Sequence, residues 1–560
     1  SVNKVSFKKV ESLRTLLDGL GHNLRLPSIH GLRALRMSSS LFSPLKDLTH
    51  LRYLKLGGHS VTSLPNFICG LKKLQILKLE SFGSHNFLPK DLTRLQDLRH
   101  LVFYNCPSIA EMPLNIGKLS HLRTLSTFVV GSKSGYGLAE LHDLKLGGKL
   151  HIRGLENVPS ESDAKQANLI SKKELNRLTL SWGYSEVTNV NAELVLEALE
   201  PPSTLKSFKM REYLGTQLPS WMRTPSVLKD LVEVILYHCP NCEQLPPLGK
   251  LPFLKILYVS GMKNVKCIDG ESYDGAEKAF PSLEKFTASY LPNLKRMLRD
   301  EGVEMLPHLS RLSISGTSNL EFPRLPSVEH LEARYIEDAT LFMEGVVGNM
   351  PCLKTLAIYW FSKLKVLPDQ LSNLGALREL KFVCCDELEY FPEHVLQGLP
   401  SLRTLTVFYC RKLKSLSEGV RHLACLESLY IFYCQELVTL PSNMNQLTAL
   451  REVSISSSML PEGLQRIPSL QSLVIQNIEC TSLPDWLGDM TSLRELRISL
   501  CTNLRSLPSS FQRLTNLCKL TIIGCPLLEK RCKRVTGEDW QYIAHIPQLE
   551  LQFERKLTFC

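Results

Sequence analysis

Apolar residues recur along the chain in a phrase of nine positions, in which the first, fourth and sixth are mostly leucine, isoleucine or valine. The clearest copies begin at Leu402 and Leu426, 24 residues apart, and end in Cys410 and Cys434. Related phrases begin between residues 13 and 517, and we count about 22 of them. A Leu-x-x-Leu-x-Leu pattern at this period predicts one short strand and one return arm per repeat.

The pattern predicts an α/β fold, a leucine-rich-repeat solenoid (horseshoe) with a parallel concave β-sheet and an irregular or short-helical convex side. The apolar side chains at positions one, four and six point inward and contribute roughly 1.5–3 kcal/mol each when buried. A single repeat cannot offset its own ordering entropy, so repeats must stack. Positions two, three, five, seven and eight are expected to face the concave side and to carry function.

The return arms contain Leu-Pro pairs, which predict irregular or short 3₁₀ segments because proline lacks a donor. These pairs are Leu64-Pro65, Leu245-Pro246, Leu367-Pro368, Leu440-Pro441, Leu483-Pro484 and Leu507-Pro508. Residues 162–174 and 191–200 instead have helical spacing and predict two short convex helices, the second ended by Pro201-Pro202.

The predicted organisation is a solenoid over residues 1–524 and a C-terminal cap over 525–560. In the cap, Trp540, Ile543 and Ile546 are spaced to cover the exposed edge of the last repeat. The chain begins at Ser1 without a methionine or an apolar leader, so we expect it to be part of a longer protein. It contains no apolar run long enough to predict a transmembrane segment.

Cysteine and asparagine usage predicts a cytoplasmic location. Seven of the 17 cysteines occupy position nine of the phrase, where a small side chain should turn back toward the interior; they are Cys106, Cys239, Cys385, Cys410, Cys434, Cys501 and Cys525. Their number is odd and they follow the repeat register, which favours free thiols and a reducing compartment. None of the asparagines lies in an Asn-x-Ser/Thr sequence.

Charge is distributed unevenly along the chain. Residues 1–130 contain 18 Lys and Arg against 7 Asp and Glu, an excess equal to the net charge of +11 of the whole chain. This asymmetry predicts an acidic partner for the amino-terminal end.

Four motifs resemble plant intracellular immune receptors of the coiled-coil, nucleotide-binding, leucine-rich-repeat class. They are IGKLSHLRTLSTFVVGSKSGYGLAELHDLKLGGKLHIRGLENV (116–158), GTQLPSWM (215–222), AFPSLEKF (279–286) and the ending CPLLEKRC…GEDWQYIAHIP (525–547). With the repeats, the resemblance covers essentially the entire chain and corresponds to the repeat domain alone.

The resemblance implies a role in disease resistance. In that family the repeats select a pathogen effector, or a host protein that the effector alters, and hold the nucleotide-binding domain inactive until then. None of Gly117-Lys118, Gly148-Lys149 and Gly249-Lys250 lies in a G-x-x-x-x-G-K-[ST] loop. We therefore expect no cofactor here, with ADP or ATP bound only by an absent nucleotide-binding domain.

The first candidate site is an aromatic ladder of concave positions, expected to form one strip that binds the effector or guarded host protein. Its residues, together with a neighbouring cation, are Tyr359, Trp360, Lys381, Phe408, Tyr409, Tyr430, Phe432 and Tyr433. The alternative is that some rings tuck under the loop that leaves the strand and only stabilise it.

The second candidate site is a basic ladder, expected to dock on an acidic face of the receptor's own nucleotide-binding domain. It comprises Arg14, Arg33, Arg36, Arg52, Lys55, Lys78, Arg99 and Arg123. The alternative is ordinary solvated surface. Nucleic acid is not expected as a partner, because the ladder lacks interleaved aromatic residues and no nucleic-acid-binding module is visible.

Other motifs predict no chemistry. Cys239-Pro-Asn-Cys242 has no second pair with which to complete a zinc site, and the glycine-rich residues 131–137 are expected to form a surface loop. Histidines and acids share no spacing, so we expect no metal site and no enzyme. The rival functions are the substrate-selecting repeats of a ubiquitin ligase adaptor and a receptor ectodomain. The first would have a more regular period with helical arms, and the second would have paired cysteine caps and glycosylation sites.

Overall fold

The structure of the chain is a computed structural model that describes residues 14–16, 31–37, 46–58, 63–81, 86–107, 109–183, 191–268, 278–297, 304–317, 320–437, 439–457 and 460–552. Two compact units comprise Ser1–Leu283 with Arg299–Glu304, and Glu284–Leu298 with Met305–Cys560. Leu13, with which the first predicted phrase begins, and residues 553–560 of the predicted cap lie outside the described residues. The predicted boundary of the cap at residue 525 stays a prediction.

The repeats of the first unit contribute short strands in chain order. These strands are β1 (Thr15–Leu16), β2 (Ala34–Met37), β3 (Tyr53–Gly57), β4 (Ile76–Glu80), β5 (Asn86–Phe87), β6 (His100–Tyr104), β7 (Ile109–Glu111), β8 (Thr124–Leu125), β9 (Thr127–Val129), β10 (Gly148–Arg153), β11 (Leu175–Ser181), β12 (Ser207–Arg211), β13 (Glu233–Tyr237), β14 (Ile256–Ser260) and β15 (Lys278–Ala279). Strands β1, β2, β3, β4, β6 and β8 form one parallel sheet, and β9 to β14 pair in parallel in a second. The short strands β5 and β7 pair with each other outside these sheets.

The second unit repeats the arrangement with a longer parallel sheet. Its strands are β16 (Lys285–Ser289), β17 (Glu304–Met305), β18 (Arg311–Ser315), β19 (His330–Arg334), β20 (Thr355–Tyr359), β21 (Glu379–Val383), β22 (Thr404–Phe408), β23 (Ser428–Phe432), β24 (Glu452–Ser456), β25 (Ser472–Gln476), β26 (Glu495–Ser499), β27 (Lys519–Ile523) and β28 (Gln548–Gln552). Apart from β17, they pair in chain order, each phrase position facing the same position of the next repeat. The predicted parallel sheet with one strand per repeat is confirmed.

The core consists of the predicted inward positions. In the repeat that begins at residue 402, Leu402, Leu405 and Val407 are fully buried. The backbone carbonyl at position two accepts two N–H groups of the following repeat: Arg378 O accepts from Arg403 N at 2.8 Å and from Thr404 N at 3.0 Å. The same pair of bonds recurs along both units, so each repeat fixes the register of the next.

The return arms are short, and each predicted Leu-Pro pair precedes a 3₁₀ helix. Pro65, for example, has φ −64° and ψ 143°, an extended conformation that enters the helix directly. Within the described ranges, 3₁₀ helices span Asn66–Gly70, Lys90–Arg94, Ile116–Lys118, Leu138–Leu141, Leu155–Asn157, Leu169–Ser171, Leu248–Lys250, Asp369–Asn373, Glu418–His422, Met444–Gln446, Leu464–Arg466, Asp485–Asp489 and Ser509–Arg513.

Seven short α-helices occur among the described residues: α1 (Glu161–Lys165), α2 (Ala192–Ala198), α3 (Ser220–Arg223), α4 (Ala339–Asn349), α5 (Glu393–Gln397), α6 (Pro526–Arg531) and α7 (Trp540–Ile543). The predicted helix over 191–200 is confirmed by α2. The helix predicted over 162–174 is wrong beyond Lys165, because Asn168 adopts φ 46°, a left-handed conformation that a helix cannot continue through. Helix α4 was not predicted from the sequence.

The turn after most of the strands is left-handed. Residues at position eight have positive φ in most repeats, whether they are glycines such as Gly261 and Gly524 or large residues such as Trp360 and Leu500. Position eight was predicted to be a concave strand position, but the strands end at position seven. Position nine then turns inward: Cys410 and five other predicted thiols are buried, whereas Cys106 is only half-buried. All sixteen described cysteines are free thiols.

One predicted phrase is out of register. The sequence interpretation placed position one of a repeat at Leu150, but Leu150 lies opposite Leu178, which is position four of its repeat. A bulge between Gly148 and Lys149 and the interruption between β8 and β9 displace the pattern here. The correct phrase therefore begins three residues earlier.

The cap contains one more strand than was predicted, since β28 pairs with β27 in the same parallel register. Ile543 and Ile546 are buried as predicted, and Trp540 is half-buried. The carboxylate of Asp539 is fully buried; it accepts hydrogen bonds from Leu507 N at 2.9 Å and from Arg531 Nη2 at 2.8 Å. This carboxylate therefore ties the cap to the preceding return arm.

We predict that Asp539→Ala destabilises the carboxy-terminal repeats by about 3 kcal/mol, because it leaves a buried N–H without an acceptor and removes the partner of Arg531. Urea unfolding followed by tryptophan fluorescence measures the change. The matched control is Asp489→Ala, whose ion pair with Arg513 is exposed and should contribute less than about 1 kcal/mol. Equal effects of the two substitutions would contradict the prediction.

A second prediction concerns Lys172, which is 3% exposed and donates from Nζ to Leu141 O at 2.7 Å and Leu144 O at 2.9 Å. Burial lowers the pKa of Lys172 to about 8, below the 10.5 of an unfolded lysine. Between pH 8 and pH 10.5 the unfolded chain binds more protons at Lys172 than the folded chain does. The free energy of unfolding should therefore rise with pH by up to about 1.4 kcal/mol per pH unit. Unfolding measured from pH 8 to 10 should show this slope relative to Lys172→Met, and parallel curves would contradict it.

Candidate partner-binding surfaces

The predicted aromatic residues lie at or near the carboxyl ends of successive strands in the second unit. Tyr359, Phe408 and Phe432 are the last residues of β20, β22 and β23, and each is half-buried. Trp360, Tyr409 and Tyr433 follow them in the left-handed turns. Tyr430 and Lys381 lie at position five, one step back along their strands, and are also half-buried.

The carboxy-terminal part of this surface is a packed group of four rings, here called the four-ring cluster: Phe408, Tyr409, Phe432 and Tyr433. Tyr409 and Tyr433 stack with ring centroids 4.5 Å apart and an interplanar angle of 12°. Phe408 contacts Tyr409, Phe432 and Tyr433 edge-on at 4.8, 5.8 and 5.7 Å. Such geometries are favourable beyond the area they bury, so the four side chains form one surface.

A second group surrounds Trp360 and contains residues that were not predicted. Tyr335 stacks on Trp360 with centroids 4.9 Å apart and planes 7° from parallel. The guanidinium of Arg334 lies 4.4 Å from the ring centre of Tyr359, and the ammonium of Lys381 lies 5.6 Å from it. This group, the cationic aromatic cluster, could have been found from the sequence, because Arg334 and Tyr335 occupy positions seven and eight of their repeat.

The two clusters are not one continuous strip, as was predicted. Strand β21 lies between them and places Val383 opposite both Tyr359 and Phe408. Cys384 occupies position eight of the same repeat. At the carboxyl ends of its strands, the second unit therefore presents two aromatic groups, and one repeat with small side chains separates them.

Four of these aromatic residues have a backbone conformation that glycine adopts more readily than other residues do. Tyr335, Trp360, Tyr409 and Tyr433 have φ between 54° and 55°, in the left-handed region that costs a residue with a Cβ about 1–2 kcal/mol. Repeats with Gly316 or Gly524 at the same position make the same turn without that cost. The turn itself thus does not require a large ring, and residues without a ring, such as Cys384 and Leu500, adopt it as well.

The predicted basic ladder is two separate rows in the first unit. Arg14, Arg33, Arg52, Arg99 and Arg123 are exposed position-two residues, one row at the start of the strands, which Gln75 interrupts. A second row, at position five, comprises Arg36, Lys55 and Lys78, which lie directly opposite one another on β2, β3 and β4.

The position-five row is partly neutralised. Lys55 Nζ lies 2.6 Å from a carboxylate oxygen of Glu80, and this hydrogen bond lowers the pKa of Glu80. Lys78 and Lys55 also lie over the rings of Tyr53 and Tyr104, at 5.5 and 5.9 Å. The premise that the ladder lacks interleaved aromatic residues is therefore wrong, although the expectation of no nucleic acid stays a prediction.

The remaining motifs have structural explanations. Cys239 and Cys242 are fully buried, and their thiols donate to Tyr237 O at 3.7 Å and Gly215 O at 3.5 Å. Burial raises the pKa of Cys239 to about 12. Among the described residues no group of three or more His, Cys, Asp or Glu side chains is placed to hold a metal ion. Residues 131–137 form the predicted loop of bends and turns.

The helices of the described ranges are all too short to cross a lipid bilayer.

Comparison with known protein families agrees with the repeat assignment. A family model described as "R13L1/DRL21 LRRs" matches residues 138–262, and one described as "Leucine-rich repeat region" matches residues 363–559. The fold is also similar to that of a solved structure, the TLR13–ssRNA13 complex, with a TM-score of 0.50 and 18% identity, covering 93% of this chain and 72% of that chain. At this identity the similarity concerns the fold alone. Leucine-rich-repeat folds are typically binding scaffolds.

Curated relatives are plant disease resistance proteins. The chain is 34% identical over 356 residues to the putative disease resistance protein RGA1 of Solanum bulbocastanum, covering 62% of this chain and 36% of the relative. It is 39% identical over 266 residues to disease resistance protein RGA2 of the same species, covering 46% of this chain and 27% of the relative. The chain thus spans about a third of the length of these relatives. Its motifs, repeat register and relatives together identify it as a leucine-rich-repeat region of the plant nucleotide-binding, leucine-rich-repeat family of disease resistance proteins.

Proposed function

We propose that this region is the recognition part of an intracellular plant immune receptor and that its two aromatic clusters bind a pathogen effector, or a host protein that the effector alters. One observation carries the proposal: large rings occupy turns that glycine would satisfy at lower cost, and they remain about a third exposed. Trp360 and Tyr409 are each 36% exposed, and Tyr335 is 43% exposed. Partly exposed, mutually packed aromatic side chains are the typical anchors of protein interfaces.

The chemistry of the two clusters suggests the kind of partner surface. The four-ring cluster offers apolar faces with tyrosine hydroxyls at their edges, which suits an apolar protrusion with a hydrogen-bonding rim. The cationic aromatic cluster adds Lys381, together with Arg334, which already pairs with Glu332; Lys381 favours an acidic group beside that protrusion. A partner that fits both would span the repeat of β21.

We further propose that the basic rows of the first unit hold the receptor inactive by docking on an acidic face of its nucleotide-binding domain. The support is the concentration of the whole net charge in residues 1–130 and the exposure of the position-two arginines. In this proposal the region acts as a non-enzymatic scaffold in the cytoplasm and leaves ADP or ATP to the nucleotide-binding domain.

We predict that removal of the four-ring cluster abolishes recognition. The full-length receptor is co-expressed in leaves with candidate effectors, and cell death is scored for wild type, for Phe408→Ala/Phe432→Ala and for Tyr409→Gly/Tyr433→Gly. The second variant places glycine in the two left-handed turns. Glycine adopts this conformation readily, which limits any loss of stability. Both variants should accumulate normally and lose the response to the effector that activates wild type.

The matched control for that experiment is Tyr237→Ala/Tyr390→Ala. These two tyrosines are 40% and 48% exposed and lie outside both clusters and outside the basic rows. The control should keep the wild-type response. An unchanged response of the cluster variants to every effector would contradict the proposal.

A second prediction tests docking by charge. Binding between this region and its separately expressed nucleotide-binding domain should weaken by at least about tenfold between 50 and 500 mM salt, because exposed charges are screened over a few ångströms at high salt. Arg36→Gln/Lys78→Gln should weaken binding at low salt, whereas Arg403→Gln, whose guanidinium pairs with Glu427 in the second unit, should not. Salt-insensitive binding, measured by calorimetry, would exclude docking by charge.

A further inference from the structure

A concentration of unpaired positive charge lies on strands β10, β11 and β12 of the first unit. Lys149 and Arg153 belong to β10, Arg177 to β11 and Arg211 to β12, all at the alternating positions that face away from the leucine core. None of the four makes an ion pair or a side-chain hydrogen bond with any described residue. Lys149 and Arg177 lie directly opposite each other, an arrangement of like charges that destabilises a sheet.

Arg153 has the most unfavourable environment of the four. Its side chain is half-buried, and burial lowers the pKa of Arg153, an effect that Glu156 only partly opposes. The carboxylate of Glu156 already accepts the backbone N–H of Gly183 at 2.6 Å. A desolvated guanidinium without a hydrogen-bonded counter-charge is costly, and this cost falls if an anion is bound.

Between the cations lie hydroxyl groups at the level of the sheet. Ser181 lies between Arg153 and Arg211 in the strand register, two strand spacings or about 10 Å apart. Ser181, Thr179 and Ser207 are each less than a tenth exposed. The Thr179 hydroxyl makes no hydrogen bond in the part of the chain described. The hydroxyl groups therefore lie close to the sheet, on the same face as the long cationic side chains.

A neutral histidine completes the site. His151 Nε2 lies 2.7 Å from Ser181 Oγ. Burial lowers the pKa of His151 to about 3, with further lowering by Arg153, Arg211 and Lys149. His151 thus remains uncharged at neutral pH, and Lys149 and Arg153 lie on the same face of β10, two residues before and after it. The neighbouring acid, Glu233, already has partners: its carboxylate pairs with Lys209 Nζ at 3.0 Å and accepts a hydrogen bond from Ser207 Oγ at 2.5 Å.

We propose that these three strands form a binding site for a small molecule that carries several phosphate groups, and we call it the oxyanion site. Guanidinium, ammonium and hydroxyl groups on one face of a sheet are the groups that hold phosphate oxygens. A single carboxylate would neutralise only one of the four unpaired cations. A ligand with several phosphates within about 10 Å matches the separation of the cations across three strands.

At several other places on the sheets, oppositely charged residues of neighbouring repeats form ion pairs. Lys354 bonds Glu329 at 2.6 Å, Arg403 bonds Glu427 at 2.6 Å, and Lys519 lies 3.3 Å from Glu550. In each pair the two residues belong to neighbouring repeats. The oxyanion site departs from this pattern because its hydroxyl positions are the ones where acids would pair with the cations.

The test is isothermal calorimetry of the whole chain with sodium tripolyphosphate at constant ionic strength. We expect saturable binding of one tripolyphosphate per chain. Arg153→Gln/Arg211→Gln and the exposed pair Lys149→Gln/Arg177→Gln should each weaken it by about tenfold or more. The second pair removes opposed like charges and does not depend on replacing a half-buried side chain. The matched control, Arg33→Gln/Arg52→Gln, removes the same charge from the same unit and should change binding by less than about twofold.

A second readout separates a specific site from general attraction. Bound tripolyphosphate should raise the pKa of His151, followed by NMR of 13C-labelled histidine and assigned with His151→Gln. Equal weakening by the control pair, absence of binding at 10 mM tripolyphosphate, or an unchanged His151 resonance would overturn the proposal. So would tighter binding of polyglutamate of matched charge, since the surface would then be a docking site for an acidic protein.

Discussion

Stacking of one strand on the next is the constraint on which the other features depend. A carbonyl at position two accepts two N–H groups from the following repeat, so every phrase position lies beside its counterpart about 4.8 Å away. This bonding buries the leucines that no single repeat could bury alone. It also converts chemically similar residues at one phrase position into a row. The aromatic clusters are rows of this kind, and so are the opposed Lys149 and Arg177 of the proposed oxyanion site.

The sequence predicted the parts of the fold that this constraint controls. Leu402, Leu405 and Val407 are buried as the phrase required, and Phe408 lies opposite Phe432 as their equal positions required. The return arms were predicted only as irregular, because they need only reconnect successive strands. Helix α4 was missed for that reason: a return arm can fold in several ways without disturbing the register of the strands that it joins.

A candidate site could be predicted from the sequence only where the phrase positions of its repeats were assigned correctly. Tyr359 and Phe408 were identified because their phrases are regular, whereas the break around Ser126 and the bulge at Gly148 displaced the next repeat. With Leu150 assigned to position one, Arg153 would occupy an inward position, and its row with Ser181 and Arg211 was hidden. Backbone conformation at position eight was also beyond the sequence, since nothing in a tyrosine indicates a left-handed turn.

Position eight has a consequence for how such a protein can diversify. Gly316, Cys384, Asn477, Leu500 and Trp360 all occupy it with nearly the same backbone conformation, which shows that stacking of neighbouring repeats, rather than the side chain, sets the turn. A point mutation there can exchange a small group for a large ring, or the reverse, at a bounded energetic cost and without moving any strand. Under the function proposed above, receptors that share this scaffold would acquire new ligand specificities one residue at a time.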